Sequence, residues 1–402
     1  MGNYPSVSGP VTVYITTENN AMVNISSSPF LNANIKSKTD KTVYFNSMSI
    51  ISLPFTLTCE YLTVEPKAVI VQTSEPSTVT IFDSFGETTN DGTLIIPTNK
   101  LSTKYLVSST MPVLNSVDFY SQFAIGALYD DTSVQIELKI GQNSSIHVFG
   151  GTYKDGDTFS VVLSRLETLQ VNHTTDLTGT FITATKPLAV FSGKQCQLWK
   201  PSRCSHVVTQ LPPISELDTH YIVAPFHNNE ITLIRIVSAQ ETYINSSFGD
   251  KKITRHLYGR NPQNLTATSN SITVIVSDQP VLITGFGMGG PYDPYMTVIP
   301  GINQYLSYYK IPVPEGYTEN FICVIIPQIS LYNLRINGNS FNKFKTVFQS
   351  SIVLENIFSV FTIQVERGIF ILSTTDNSKF GLIVYGHRYS DGYGFAGNFL
   401  LN

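Results

Sequence analysis

Residues 181–221 read FITATKPLAVFSGKQCQLWKPSRCSHVVTQLPPISELDTHY, and this stretch gives the strongest indication of the fold class. It contains two apolar runs joined around Pro187, and short apolar runs that are separated by Pro, Asp or Ser predict a β-hairpin. Two cysteines, Cys196 and Cys204, then enclose a short loop with the only tryptophan, Trp199. The stretch therefore predicts β structure with a small loop that a disulfide could close.

The pattern of this stretch recurs along the chain without the cysteines. Four segments combine an apolar strand, a short polar turn and a second apolar strand that runs into glycine, and such self-similarity at roughly 100-residue intervals indicates internal repeats. An aliphatic strand that ends in Pro, followed by a Tyr, comes after each of the first three turns. The turns are centred on Pro76, Pro187, Pro280 and Ser378, and the Pro and Tyr pairs are Pro97 with Tyr105, Pro213 with Tyr221, and Pro300 with Tyr309.

The two ends of the chain are related in the same way. Phe399-Leu400-Leu401 stands where Leu94-Ile95-Ile96 stands in the first repeat, so we expect the chain to end one strand into a fifth unit. A last strand that completes the first unit predicts a propeller-like closed ring, because closure removes exposed sheet edges. Tandem β-sandwich modules are the alternative, since each repeat has room for more than the four strands of a blade. We expect one domain, 1–402, with approximate repeats 1–96, 97–211, 212–299 and 300–402.

Composition favours an all-β protein and excludes several partners. Charged residues are 13% of the chain and aromatic residues are 11%, and Thr, Val, Ile and Tyr suit a pleated, half-exposed surface. The net charge of −4 is spread thinly, so we expect no nucleic acid partner. No apolar run approaches the roughly 18 residues that span a bilayer, so we expect no membrane insertion.

Sequons and cysteines point to an extracellular setting. Five Asn-x-Ser/Thr sequons occur, and the four cysteines are an even number. Both features are typical of glycosylated, disulfide-containing proteins of oxidising compartments. We expect a secreted or cell-surface protein whose signal peptide was removed or lies outside this sequence. The sequons are at Asn24, Asn143, Asn172, Asn245 and Asn264.

The loop between Cys196 and Cys204 is the strongest candidate site. A disulfide across so short a loop stabilises it by about 2–3 kcal/mol through chain entropy. One interpretation is a purely structural cross-link. The other is a rigid contact surface formed by Trp199, Lys200 and Arg203, because Trp and Arg dominate binding hot spots.

The other two cysteines, Cys59 and Cys323, lie in apolar, strand-like sequence. They are predicted to be buried free thiols that behave as small apolar side chains. If the repeats close into a ring, the first and last units become neighbours. In that case a disulfide between these two cysteines is the alternative.

The sequence predicts neither a metal site nor a catalytic site. Cys204 and His206 are the only close pair of zinc-type ligands, and a zinc site needs more. Three acidic segments resemble calcium ligands but are equally turn signals, and we interpret them as turns. No pair of groups suits general acid and base catalysis, so we expect no enzyme and no cofactor. The acidic segments are Asp130-Asp131, Asp155-Gly156-Asp157 and Asp391-Gly392.

The central stretch resembles the N-terminal domain family of IgGFc-binding protein. Each of the matching segments is weak evidence on its own, but their order along the chain is specific for this family. It implies a non-enzymatic, secreted or cell-surface module, usually one part of a longer protein with adhesive or mucin-associated domains. It identifies no residue that would bind immunoglobulin. The segments are ATKP at 184–187, VFSG at 190–193, Cys196, Cys204-Ser205-His206 and QLPP at 210–213.

These observations predict an extracellular binding or adhesion module that contacts proteins or glycans. One alternative is a carbohydrate-binding or carbohydrate-active β-propeller, because the many tyrosines could stack on sugars. A second alternative is a structural subunit that forms oligomers through its terminal strand.

Overall fold

Strands dominate the structure, and this confirms the all-β prediction. Within the described part of the chain the only α-helix is α1, Ala33–Thr39. No helix among those residues is long and apolar enough to cross a membrane. A computed structural model describes residues 1, 9–85, 88–110, 119–200, 203–248, 251–268, 270–290, 292–389 and 391–401.

The first strand group is organised around one long strand, β1. This strand pairs in antiparallel fashion with β2 along one edge, and with β4 and then β5 along the other. A bulge between Thr16 and Asn20 divides β1 into two parts. Strand group 1 comprises β1 (Val11–Ser27), β2 (Lys41–Leu53), β3 (Val64–Glu65), β4 (Val69–Thr73), β5 (Ser77–Phe85) and β6 (Thr88–Leu94).

The second strand group is built around β14, the longest strand. Apolar residues of its neighbours, such as Ile136 and Phe123, are fully buried against Ile182 and Leu188 of β14. Strand group 2 comprises β7 (Ser102–Leu106), β8 (Ser121–Ala127), β9 (Thr132–Glu137), β10 (Ser145–Val148), β11 (Gly151–Lys154), β12 (Thr158–Leu163), β13 (Thr168–His173), β14 (Phe181–Lys200) and β15 (Arg203–Gln210).

The remaining strands form two further groups with similar pairing. Strand group 3 comprises β16 (Asp218–Val223), β17 (Ile231–Ser238), β18 (Thr242–Phe248), β19 (Lys251–Leu257), β20 (Gln263–Thr268), β21 (Thr273–Met288) and β22 (Tyr295–Val298). Strand group 4 comprises β23 (Tyr308–Val313), β24 (Glu319–Pro327), β25 (Leu334–Ile336), β26 (Asn339–Ser340), β27 (Lys345–Leu354), β28 (Asn356–Val365), β29 (Gly368–Thr374), β30 (Gly381–Arg388) and β31 (Asp391–Ala396). Short 3₁₀ helices lie at Phe55–Leu57, Thr98–Lys100, Ile214–Glu216, Ile302–Gln304, Gln328–Asn333 and Phe341–Lys343.

The predicted hairpin around Pro187 is wrong, because the chain bends there and does not reverse. Residues 181–184 of β14 pair with β7 and β9, whereas residues 188–194 pair with β8 and β15. Proline has no N–H for the ladder, so it is tolerated at a bend where a strand leaves one layer and joins another. The sheets of groups 2 and 3 therefore curl around their long strands.

The other three predicted hairpins are bends of the same kind. The strand β21 runs through Pro280 and changes partners from β16 and β18 to β17 and β22. In group 1, β4 and β5 pair with successive parts of β1. In group 4, β29 pairs with β23 and β25, and β30 pairs with β24 and β31. The hairpins that directly follow these bends connect β5 with β6, β14 with β15, β21 with β22, and β30 with β31.

The repeated tyrosines hold these bends. The Tyr221 hydroxyl donates a hydrogen bond to the carbonyl of Val281, just after Pro280 (2.5 Å), and accepts one from the N–H of Asp218 (2.9 Å). We call this pair of bonds the tyrosine clamp. It satisfies backbone groups where the ladder is interrupted. Tyr105 makes the same bonds with Leu188 and Ser102, and Tyr309 makes them with Phe380 and Leu306.

The last strands of the four groups lie beside one another. The strand β6 contacts β15 and β31, and β22 contacts the same two strands. A small cavity between them is lined by residues from all four groups, and we call this region the centre. The lining residues are Leu94, Ile96, Thr209, Gln210, Thr297, Val298, Ala396 and Phe399.

Each group also contacts its neighbours away from the centre. Groups 1 and 2 share a sheet, since β3 pairs with β13. The buried Arg235 of group 3 forms an ion pair with Asp176 of group 2. The hydroxyl of Tyr385 in group 4 accepts a hydrogen bond from the N–H of His227 in group 3 (2.9 Å). The hydroxyl of Thr16 in group 1 donates to the carbonyl of Lys310 in group 4 (2.9 Å).

Candidate functional site

The predicted contact residues lie at the tip of the β14–β15 hairpin. In the backbone register Lys200 lies opposite Arg203, and Leu198 lies opposite Cys204. Trp199 is the next-to-last residue of β14. The side chains of residues 198–200, 203 and 204 lie outside the described residues, as do residues 201 and 202 entirely. The contact surface formed by Trp199, Lys200 and Arg203 therefore stays a prediction.

The base of this hairpin is fixed in the protein interior. Cys196 is fully buried and disulfide-bonded. Its predicted partner, Cys204, has a side chain outside the described residues, so the pairing itself stays a prediction. Lys194 and Gln197, on either side of Cys196 in β14, are also buried. The base of the hairpin is therefore buried and largely polar.

A disulfide between Cys59 and Cys323 is wrong, because both residues are free thiols. The Sγ atom of Cys59 lies 3.3 Å from the hydroxyl of Thr168 in group 2. Cys323 lies in the core of group 4, where burial raises the pKa of its thiol to about 12. Each thiol therefore has its own environment in a different strand group, and Cys323 stays protonated at neutral pH.

A chain of buried polar side chains lies next to the hairpin. The Nδ1 atom of His206 contacts the carboxylate of Asp83, and its Nε2 atom lies 3.0 Å from Nε2 of Gln122. The amide of Gln170 donates to Oε1 of Gln122 (2.9 Å). His206 thus serves as a hydrogen-bonded link between groups 1 and 2. Among the described residues no group of His, Cys, Asp and Glu could hold a metal ion.

One buried carboxylate, that of Asp91, binds backbone N–H groups of four strands. The Asp91 side chain is fully buried, and burial raises its pKa well above the usual value, although the N–H donors favour its charged form. Because the donors come from β6, β15, β22 and β31, this one side chain joins all four groups. The donors are the N–H groups of Gly92 (2.8 Å), Val208 (3.0 Å), Met296 (3.0 Å) and Gly394 (3.2 Å).

A second buried carboxylate connects the first and last groups. The carboxylate of Asp391 accepts hydrogen bonds from the N–H (2.9 Å) and the amide (2.7 Å) of Asn90, and from Nε of Arg388 (2.8 Å). Burial raises the pKa of Asp391 to about 7. The interpretation of Asp391-Gly392 as a turn is wrong, because both residues belong to β31.

The other two acidic segments are turns, as predicted. Asp155 and Gly156 form a turn in which Gly156 has a positive φ of 83°. The carboxylate of Asp155 accepts a hydrogen bond from the N–H of Ile140 (2.8 Å). Asp130 and Asp131 lie in the turn between β8 and β9.

The five sequons differ in accessibility. Asn143 and Asn245 are exposed, whereas Asn24, Asn172 and Asn264 are half-buried. The side-chain oxygen of Asn264 is buried without a hydrogen-bond partner. Oligosaccharide transfer needs an accessible amide, so the structure separates the sequons into two classes.

Two cavities are found among the described residues, one at the centre and one in an open groove beside the β1 bulge. The groove is lined by apolar and uncharged polar residues, without a carboxylate. The cavity at the centre also has no carboxylate in its lining. The groove is lined by Asn20, Ala21, Met22, Tyr44, Phe45 and Ser74.

Comparisons with known proteins place most of these features inside one matched region. The profile of a protein family described as IgGFc binding protein matches residues 91–386. A Homo sapiens protein described as IgGFc-binding protein is 27% identical over 310 residues, which are 76% of this chain and 6% of that protein. The chain thus spans a small part of that relative's length. No solved structure matches it.

Proposed function

The chain belongs to the IgGFc-binding protein family, and from this premise we propose that it is a non-enzymatic extracellular module that binds other proteins. The family match covers Cys196, Cys204 and the hairpin between them. A rigid scaffold that presents loops is the usual architecture for such contacts. The observation that carries the proposal is the β14–β15 hairpin, whose base is buried and disulfide-bonded at Cys196.

The proposed contact residues are Trp199, Lys200 and Arg203 at the tip of that hairpin. A disulfide between Cys196 and Cys204 would hold the tip in one conformation. Pre-organisation of this kind improves affinity because less conformational entropy is lost on binding. An aromatic side chain flanked by cations is the composition that binding hot spots favour.

The scaffold proposed for this site is a closed ring of four sandwich-like units. The approximate bounds of the four units are 1–96, 97–211, 212–299 and 300–402. Support comes from the neighbour relations of β6, β15, β22 and β31, and from the four N–H donors of Asp91. In such a ring the four hairpins that follow the bends would project from one face.

Secretion and glycosylation complete the proposal. The exposed amides of Asn143 and Asn245 should be occupied when the chain passes through a secretory pathway. Asn24, Asn172 and Asn264 are half-buried in strands and should stay largely unmodified. Glycopeptide mass spectrometry of protein secreted from animal cells tests this division, and occupancy of Asn264 above Asn245 would contradict it.

The decisive experiment is an array of extracellular proteins and glycans that includes the Fc fragment of immunoglobulin G. Trp199→Ala should weaken binding to any partner found by at least about tenfold, as expected for a hot-spot aromatic. Phe30→Ala is the matched control, because Phe30 is exposed in the turn before α1. Equal binding by Trp199→Ala and the parent protein would remove the hairpin from the proposal.

The same array separates the alternatives. Binding to glycans alone, with Trp199→Ala unaffected, would favour the carbohydrate-binding alternative. Light scattering on the purified chain tests the structural-subunit alternative, which requires oligomers.

A further inference from the structure

The strand segment that precedes each bend has two edges, and in groups 2, 3 and 4 both edges are paired. One edge pairs with β9, β18 or β25. The other edge pairs with the strand that carries the tyrosine clamp, which is β7, β16 or β23. Residues 181–184 pair with β9 and β7, and residues 273–277 pair with β18 and β16. The strand β29 pairs with β25 and β23 in the same way.

The corresponding strand of group 1 is β4, and it is paired along one edge only. The strand β4 pairs with the second part of β1, and its continuation β5 pairs with the first part. Among the described residues no strand pairs with the other edge of β4. The clamp strand is therefore the element that group 1 lacks in the described part of the structure.

Side-chain burial shows the consequence of the unpaired edge. Tyr105, Tyr221 and Tyr309 lie directly opposite Ile182, Ile275 and Leu372, and these three aliphatic residues are fully buried. Val71 precedes Pro76 by the same spacing that separates Ile182 from Pro187 and Ile275 from Pro280. In contrast to these two residues, Val71 is only half-buried.

The sequence of β4 does not protect its edge. Natural edge strands are usually blunted by Lys, Pro or bulges, because an open ladder recruits other strands. The strand β4 reads VIVQT and contains no charged residue and no proline. Its pairing with β1 is regular over all five residues. This edge thus keeps the features of a strand that is paired along both sides.

We propose that the edge of β4 with which no described strand pairs is a docking site for an extended segment of a partner polypeptide that carries the clamp pattern. The pattern is an aliphatic stretch, Pro, a 3₁₀ turn, and a Tyr eight or nine positions after the Pro. The docked segment adds an antiparallel strand beside β4 and places its tyrosine opposite Val71. Strand addition of this kind derives affinity from main-chain bonds and specificity from side-chain pockets.

The clamp supplies the specificity. In groups 2 and 3 the tyrosine hydroxyl donates to the carbonyl of the residue after the bend proline, Leu188 or Val281. The counterpart in group 1 is Ser77, which follows Pro76. A segment with Phe in place of Tyr forms the strand but not these bonds. The docking site therefore discriminates by one hydroxyl group.

The test uses the whole chain and a synthetic peptide with the sequence of residues 213–223, PISELDTHYIV, which is one of its own clamp strands. Hydrogen exchange should show that the amides of 69–73 that face away from β1 are unprotected without the peptide and protected with it. The peptide with Phe at its tyrosine position should bind about tenfold more weakly, because two hydrogen bonds are lost.

Two variants locate the site. Val71→Lys places a charge opposite the incoming tyrosine and should abolish peptide binding. Gln72→Lys is the matched control, because Gln72 is the exposed neighbour of Val71 in β4, and it should bind normally. If Val71→Lys does not fold, the comparison of the Tyr and Phe peptides still tests the proposal on the parent chain.

Four results would overturn the proposal. Amides of 69–73 that are protected as strongly as those of 273–277 without peptide would mean that the edge is already covered. Absence of peptide binding would contradict the docking site, and equal affinities of the Tyr and Phe peptides would contradict the clamp. Protection of 69–73 that rises with protein concentration would identify a second copy as the occupant. Each result is independent of whether Trp199 binds a partner.

Discussion

The tyrosine clamps and the carboxylate of Asp91 solve the same problem in two different ways. Both satisfy buried backbone groups where a regular ladder is interrupted or absent. The clamp is repeated three times, and each copy joins residues of one bend. The Asp91 contact occurs once and joins strands of all four groups.

The two kinds of contact stabilise different levels of the structure. A clamp supports its own strand group, so its loss affects one bend and leaves two others intact. Asp91 supports the arrangement of the groups, and the described part of the structure has no second copy of its contact. Variants at the two kinds of position should therefore differ in size of effect.

The largest effect is expected for Asp91→Ala. The substitution leaves four buried N–H groups without an acceptor, so the free energy of unfolding should fall by about 4 kcal/mol. Denaturant unfolding followed by tryptophan fluorescence and circular dichroism measures this change. Asp278→Ala, at an exposed bend residue, is the control and should change stability by less than about 0.5 kcal/mol. Equal losses of unfolding free energy in Asp91→Ala and Asp278→Ala would contradict the role of Asp91 in joining the strand groups.

Tyr221→Phe should have an intermediate effect. It leaves the N–H of Asp218 and the carbonyl of Val281 without their partner, at a cost of about 2 kcal/mol. Tyr243→Phe is the matched control, because its ring is about half exposed. Tyr105→Phe and Tyr309→Phe should give similar losses, and a value near that of Asp91→Ala for any one clamp would contradict its local role.

The pH dependence of stability should report on the carboxylates of the centre. The pKa of Asp391 is about 7 in the folded chain, against about 3.9 when unfolded, so the folded state holds a proton that the unfolded state loses. Stability is therefore fully present below about pH 4 and declines up to pH 7, by at most about 1.4 kcal/mol per pH unit. The raised pKa of Asp91 acts in the same direction.

Asp391→Asn should flatten this decline when urea unfolding is measured from pH 4 to pH 8. Asp278→Asn should leave the profile unchanged. A parent chain whose stability rises from pH 4 to pH 7 would show that hydrogen bonding outweighs burial at Asp391.

The smallest effect is expected for Pro280→Ala. The bend is already held by Tyr221, so the loss comes mainly from the greater freedom of the unfolded chain, about 0.5 kcal/mol. The bend of group 4 supports this expectation, because it has Ser378 at the position of the proline and still keeps its tyrosine clamp. If Pro280→Ala costs more than Tyr221→Phe in thermal unfolding, the proline and not the tyrosine holds the bend.

The sequence located the three clamp tyrosines because their features are local. A Tyr eight or nine positions after a Pro, as in Pro213 and Tyr221, occurs in three segments and marks a clamp strand in each. Local sequence also gave the wrong prediction of a hairpin at Pro187. Two apolar runs around a proline look alike whether the chain reverses or only bends, and the difference lies in which strands pair with each half.

The role of Asp91 could not be predicted, because its partners Val208, Met296 and Gly394 are more than 100 residues away. Asp391-Gly392 resembled a turn for the same reason, since the bonds from Asn90 that bury it come from the other end of the chain. The contact residues at the hairpin tip were chosen by composition alone. Only a binding experiment on Trp199 can test them.

The bonds between Asn90 and Asp391 also set the order of events when the chain folds. They connect residues that are 301 positions apart, so the loop between them must be organised before they form. Contacts of such high sequence separation slow folding, because loop-closure entropy is lost before any bond compensates for it. During synthesis the first strand group would be complete long before the last one, with Leu94 at the end of β6 and the nearby Ile96 exposed in the meantime. We therefore expect slow refolding and a need for chaperones during synthesis.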